Sequence, residues 1–130
     1  MDNYEVVEGL YEQVANNGLI NTIKKFFGVG AKIRLPFSES ACATQVEDLN
    51  LSVRSYNCLK RAGLDTVEKV ILIIQEDKLL NIRNLGKNSK IEINHKIYEF
   101  GYARLKERAK REFLNDVYQL NIDKFNKKAI

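Results

Sequence analysis

The chain has no tryptophan, one proline (Pro36), one histidine (His95) and two cysteines in 130 residues. Each scarcity excludes something. Cys42 and Cys58 form no Cys-x-x-Cys pair, and a single histidine cannot complete a zinc cluster with them, so no metal site is expected. Two scattered cysteines fit a reduced, cytosolic protein rather than a disulfide scaffold. The longest apolar run, Val70–Ile74, falls far short of the ~20 residues a membrane helix needs. The acidic opening Met1–Leu10 lacks the apolar centre of a signal peptide. Paired carboxylates and a histidine-centred dyad are missing as well, and His95 falls in mid-helix on an expected solvent face. Neither catalysis nor a cofactor is therefore expected. Gly28 and Gly30 do not make a nucleotide loop, because no strand precedes them and no Gly-Lys-Ser or Gly-Lys-Thr follows.

What is present favours helix. Apolar residues make up 45% and charged residues 29%, a globular balance, and Leu, Ile, Lys and Glu are abundant while proline is nearly absent. The expected fold class is all-α. The net charge of +4 is unevenly placed: residues 1–44 carry −1, residues 45–102 carry +1, and residues 103–130 carry +4. A basic C-terminal segment attracts phosphate polymers, and it also describes an ordinary solvated helix face.

Asp2–Asn16 places Tyr4, Val7, Tyr11 and Val14 at spacings of three and four, predicting one helix face that ends at Asn16-Asn17-Gly18. Leu19–Phe27 predicts a second helix, broken by Gly28-Val29-Gly30. Phe27–Lys32 resembles a hairpin turn only superficially, since Pro36 would halt a following helix early. Lys32–Phe37 reads as a short extended piece and Ser38–Thr44 as a linker. Ser52 caps a helix to about Ala62, closed by Gly63, and Asp65 or Thr66 caps Val67–Gln75. Glu76–Ile82 reads as a short helical turn, Asn84-Leu85-Gly86 as a tight turn, and Ser89–Phe100 as a helix closed by Gly101. From Tyr102 onward, Leu105, Ala109, Phe113, Val117 and Leu120 predict an amphipathic helix. Its opposite face holds Arg104, Lys106, Arg108, Lys110 and Arg111. That helix is compatible with packing on the rest of the protein, pairing with a partner or lying along DNA. The tail Asp123–Ile130 is expected to fray. The division that follows is an extension at 1–44, a central domain at 45–101, and a basic helix and tail at 102–130.

The informative feature is Leu79–Ser89, two short helical pieces joined by a turn holding an apolar residue and glycine: a helix-hairpin-helix pattern. The first N–H groups of a helix have no intrahelical partner and sit at the positive end of its dipole, so a phosphate can accept from them. Gly86 allows close approach, Lys87 adds charge and Ser89 a hydroxyl. Such contacts hold a duplex by its backbone without reading sequence. Arg54, Asn57 and Cys58 lie three and four apart, on one face of the preceding helix.

Glu47–Gly63 and Ile82–Ser89 are two long signatures in order, and through them Val46–Gly101 closely resembles the C-terminal domain of the bacterial RNA polymerase α subunit. The resemblance implies a helical domain of the bacterial cytoplasm that docks on the minor groove of A·T-rich double-stranded DNA. It also implies surfaces for sigma factor and transcription regulators. On this resemblance Arg54 matches the arginine that enters the minor groove, Asn57 and Cys58 its neighbours, and Gly86 and Ser89 the hairpin's phosphate contacts, with Lys87 and Asn88 between them. Glu47, Asp48, Tyr56 and Lys60 match protein-contact surfaces. Asn88 departs from the family's second basic residue in the hairpin, with Lys90 a candidate replacement. Asn50 stands where an acidic residue usually supports sigma contact. Residues 1–44 do not resemble the family's assembly domain, so a freestanding relative with helical extensions is expected rather than a working α subunit. Two functions remain open: DNA binding, or a protein-interaction module that mimics the α-subunit domain and captures RNA polymerase, sigma factor or regulators.

Overall fold

The side chain of Asp2 accepts the Glu5 N–H at 2.9 Å and so opens α1, Asn3–Asn17. Gly18, at φ 86°, ends α1 and leads at once into α2, Leu19–Phe27. A computed structural model describes residues 2–34 and 37–126. Within these lie five further helices: α3 (Glu39–Cys42), α4 (Val53–Arg61), α5 (Val67–Gln75), α6 (Lys87–Ala103) and α7 (Glu107–Leu120). Single 3-10 turns occupy Val46–Leu49, Leu79–Asn81 and Ile122–Lys124. Among the described residues there is no strand, only one antiparallel bridge between Gln45 and Thr66. The expected all-α class is what the protein adopts.

The protein forms two units, one from residues 1–36 and 105–130, the other from Phe37–Arg104. The division expected from sequence kept the two terminal segments apart; here they share the first unit.

In that unit α1 packs against both α2 and α7. The buried stripes are Val6, Val7, Leu10 and Val14 on α1, Leu19, Ile23, Phe26 and Phe27 on α2, and Phe113, Leu114, Val117 and Tyr118 on α7. Arg111 Nε donates to Glu8 at 2.6 Å, and its guanidinium lies 4.3 Å from the Tyr11 ring centroid. Buried Asn121 accepts the Lys32 N–H at 2.7 Å and donates to the Lys32 and Val117 carbonyls, both at 2.8 Å. Phe125 meets Tyr118 edge-on at 5.1 Å and the Phe27 ring at 5.5 Å.

In the second unit α4 and α5 both pack on α6, and α3 packs on α5. Its core includes Val46, Leu59, Val67, Val70, Ile93 and Ile97, all with essentially no exposure. Ser52 caps α4 by accepting the Ser55 N–H, and Thr66 caps α5 by accepting the Lys69 N–H. Gly63, at φ 77°, closes α4, and the Leu64 N–H returns to the Leu59 carbonyl at 2.9 Å.

Several local expectations are corrected. The α1 stripe is rotated: Tyr4 is 73% exposed while Val6 and Leu10 are buried, because packing rather than spacing alone selects the face. Ser38–Thr44 is no linker, since Ser38 caps α3 and Ala41 is fully buried. The hairpin helix begins at Lys87, not Ser89, and runs through buried Gly101 to Ala103. Tyr102 therefore belongs to α6, and α7 starts after a break at Arg104–Lys106. In keeping with the merely superficial likeness of Phe27–Lys32 to a hairpin, the described residues 31–34 after Gly28 and Gly30, both at positive φ, carry no helix. Residues 35 and 36 of the expected extended piece lie outside the described residues, as do residues 127–130 of the tail. The preceding Ile122–Lys124 turn and Phe125 are ordered against α2 and α7 rather than frayed.

Candidate nucleic-acid interface

At about 100° per residue, Arg54, Asn57, Cys58 and Arg61 fall on one side of α4, while Tyr56 and Lys60 fall on the other. The first side faces the hairpin. There Leu79–Asn81 makes one 3-10 turn, Asn84 redirects the backbone at φ 66°, and buried Leu85 anchors the turn in the core. Gly86 is the N-cap of α6. It offers no side-chain acceptor, so the first N–H groups of α6 are left without a side-chain cap. Gly86 is extended, at φ −93°, and a Cβ built on it would meet nothing within 4 Å. Nothing inside the protein demands glycine at this position.

Two contacts fix α4 to the hairpin and its helix. The buried Cys58 Sγ donates to the Asn84 carbonyl at 3.4 Å. Glu92 of α6 accepts from the Ser52 N–H and the Ser52 hydroxyl, both at 2.8 Å, and from the Ser55 hydroxyl. Burial alone would raise the Glu92 carboxyl, but these three hydrogen bonds, helped by nearby Lys96, outweigh it and hold the carboxyl below the ordinary glutamate value.

Around these contacts run three adjoining hollows. One of about 200 Å³ is lined by Arg54, Gly86, Lys87, Asn88 and Ser89. A second, of about 330 Å³, is lined by Arg54, Asn57, Cys58, Arg61 and Asn84. A third, of about 650 Å³, carries Cys58, Arg61, Arg83 and Asn84 among its walls. Every residue expected to touch DNA therefore borders this connected surface. Their accessibility differs: Arg54, Gly86, Lys87 and Asn88 are exposed, Asn57 is half-buried, and Ser89 and Cys58 are 7% and 3% exposed. Cys58 serves mainly to hold the hairpin. Lys90, the candidate replacement for the charge missing at Asn88, is half-buried, with its ammonium 3.6 Å from the exposed carboxylate of Asp77.

Arg61, Arg83 and Asn84 also border this surface, and the motifs did not single them out. Arg61 was recoverable, being seven residues beyond Arg54 on the same face; Arg83 and Asn84 sit within the hairpin signature. Among the described residues no carboxylate pairs with Arg54, Arg61, Arg83 or Lys87, whereas Lys60, Lys69, Lys78 and Lys90 are all paired.

On the opposite side of α4, Lys60 pairs with Glu47 at 3.8 Å and lies 5.9 Å from the Tyr56 ring centroid. Glu47 and Asp48 are exposed on the 3-10 turn Val46–Leu49. The residues expected to contact proteins thus gather away from the arginine-lined surface. His95 is partly exposed, 3.6 Å from Glu99. Among the described residues no group of three His, Cys, Asp or Glu side chains is placed to hold a metal, and no helix is long and apolar enough to cross a membrane.

Residues 37–99 match the family model for the C-terminal domain of the bacterial RNA polymerase alpha subunit. The match begins where the second unit begins, at Phe37. The DNA-directed RNA polymerase subunit alpha of Rubrobacter xylanophilus is 54% identical over 58 residues, 45% of this protein and 18% of that relative. The corresponding subunit of Desulforamulus reducens is 50% identical over 62 residues, 48% of this protein and 19% of its own length. That of Tropheryma whipplei (strain Twist) is 46% identical over 77 residues, 59% of this protein and 23% of its own length. The 130 residues thus span less than a quarter of the length of these curated relatives. No solved structure matches. The resemblance drawn from Glu47–Gly63 and Ile82–Ser89 holds over residues 37–99, in the second unit.

Proposed function

We propose that the 37–104 unit binds double-stranded DNA, with Arg54 entering an A·T-rich minor groove and the first turn of α6 holding a phosphate. One observation carries this reading: Arg54 and the uncapped hairpin residues Gly86–Ser89 border the same hollow. A guanidinium suits a narrow A·T minor groove, where the negative potential is enhanced. Backbone N–H groups at a helix start suit the flanking phosphate. The open space at Gly86 fits a requirement imposed from outside the protein, by a backbone approaching closely. The work is binding rather than catalysis, in the bacterial cytoplasm and in association with transcription.

Fluorescence anisotropy with A·T-rich and G·C-rich duplexes at two salt concentrations tests it. Tighter binding to the A·T-rich duplex, weakened by salt, is the expected result. Binding indifferent to both sequence and salt would refute it.

The Glu47–Lys60–Tyr56 cluster favours a second reading, docking on sigma factor, RNA polymerase or a transcription regulator. Capture of purified sigma factor or polymerase by an Arg54→Ala variant, and its loss in Lys60→Glu, would support this. Equal capture by both variants would count against the cluster.

A further inference from the structure

Arg61 and Arg83 lie outside the hollow shared by Arg54 and Gly86, yet they resemble Arg54 in two respects. Both are exposed, and no carboxylate among the described residues pairs with either. Arg61 ends α4 and Arg83 immediately precedes the Asn84 turn. They border the same cleft of about 650 Å³, together with the carboxamides of Asn81 and Asn84 and the apolar Cys58 and Ile82. Among the described residues no acidic side chain lines that cleft. It adjoins the Arg54–Asn57 hollow through shared walls, Cys58, Arg61 and Asn84, and that hollow in turn shares Arg54 with the one at Gly86.

Unpaired like charges gathered on one surface repel each other, and a polyanion relieves that repulsion. A guanidinium is a planar fork that grips phosphate with two parallel hydrogen bonds, and carboxamides supply further donors. A duplex strand seated on the first turn of α6 presents phosphates at regular intervals along its backbone.

Building on the DNA-binding reading, we propose that Arg61 and Arg83 form a second phosphate clamp, which lengthens the duplex footprint beyond the Arg54 hollow. The clamp reads no sequence. It restores positive charge to a hairpin that has Asn88 where a cation would help.

The test uses the full-length protein and its Arg61→Gln/Arg83→Gln variant, titrated against A·T-rich and G·C-rich duplexes over a range of salt. The expected result is weaker binding to both duplexes by the same factor. The slope of log K against log salt should shrink by about 0.9 for each arginine removed. Arg61→Lys/Arg83→Lys, which keeps the charge, should keep the slope. Both side chains are exposed, so thermal unfolding of the variants should match that of the parent, and any loss of binding is then not a loss of fold. If the parent binds DNA with its A·T preference and the Gln variant keeps the parental slope, the clamp is overturned while the Arg54 reading stands. A loss confined to the A·T-rich duplex also overturns it, since that would be sequence reading. If the parent binds neither duplex, both readings fall together.

Discussion

Glu92 of α6 accepts a hydrogen bond from the fully buried hydroxyl of Ser55 on α4. The same carboxylate also takes the Ser52 N–H and hydroxyl, so one side chain holds the start of the helix that carries Arg54 against the helix whose first turn forms the hairpin. Removing it should be felt in stability and in binding. Glu92→Ala leaves the Ser55 hydroxyl buried without its acceptor, at a cost of about 1–3 kcal/mol. Urea denaturation measures it. A midpoint equal to that of the parent would show that the carboxylate does not hold α4 to α6.

The same group sets a pH dependence. Its folded pKa lies below the ordinary glutamate value. The unfolded state therefore binds this proton more readily than the folded state does. The stabilisation is fully present above the ordinary glutamate value and is lost as pH falls through the lower, folded value. Glu92→Gln should flatten that part of the stability profile between neutral and acidic pH. An unchanged profile would contradict the role given to the three hydrogen bonds.

Gly86→Ala separates folding from binding. The position is extended and open, so a methyl group fits without strain. Alanine is a poorer N-cap but reduces the freedom of the unfolded state, and the two effects oppose each other to leave a net change within about 1 kcal/mol. Duplex affinity should fall clearly, because the new Cβ projects where a phosphate would approach. Parental affinity in a folded variant would remove Gly86 from the interface.

Arg54→Ala should lower affinity for the A·T-rich duplex by roughly 1–3 kcal/mol and erase the preference over G·C-rich DNA. Thermal unfolding should be unchanged, since Arg54 is exposed and no carboxylate among the described residues pairs with it. Retention of the preference would move the reading element elsewhere on the surface.

In the first unit, Asn121→Ala removes the acceptor for the Lys32 N–H and a donor to the Lys32 and Val117 carbonyls in a buried setting. The expected cost is about 1–3 kcal/mol. Amide exchange at Lys32 should accelerate. An exchange rate equal to the parent's would show that the Asn121 carboxamide does not protect that N–H.

The caps were legible because they are local. Ser52 and Thr66 each accept an N–H three residues on, and Gly18, Gly28 and Gly63 each take a backbone angle that other residues avoid; Asp2, read as part of the helix, is instead the N-cap of α1. The start of α6 was misplaced by two residues because its cap, Gly86, has no side chain to announce it, while Ser89 looks like a cap and is instead a covered third position of the helix. Of the α1 stripe, Val7 and Val14 are buried as expected, but Val6 and Leu10 take the place of Tyr4, because helical spacing allows either edge of the stripe and packing on α2 and α7 selects between them.

By itself, the sequence determined the all-α class, most helix ends and the shared face of Arg54, Asn57 and Cys58, since each follows from residues within a turn or two of one another. Tertiary structure alone decided that Arg61 and Arg83 would border one cleft, that Lys90 would lie beside Asp77, and that Glu92 would serve α4. Those outcomes depend on contacts between segments well separated in sequence, such as Cys58 with Asn84, and such contacts exist only once the core has closed.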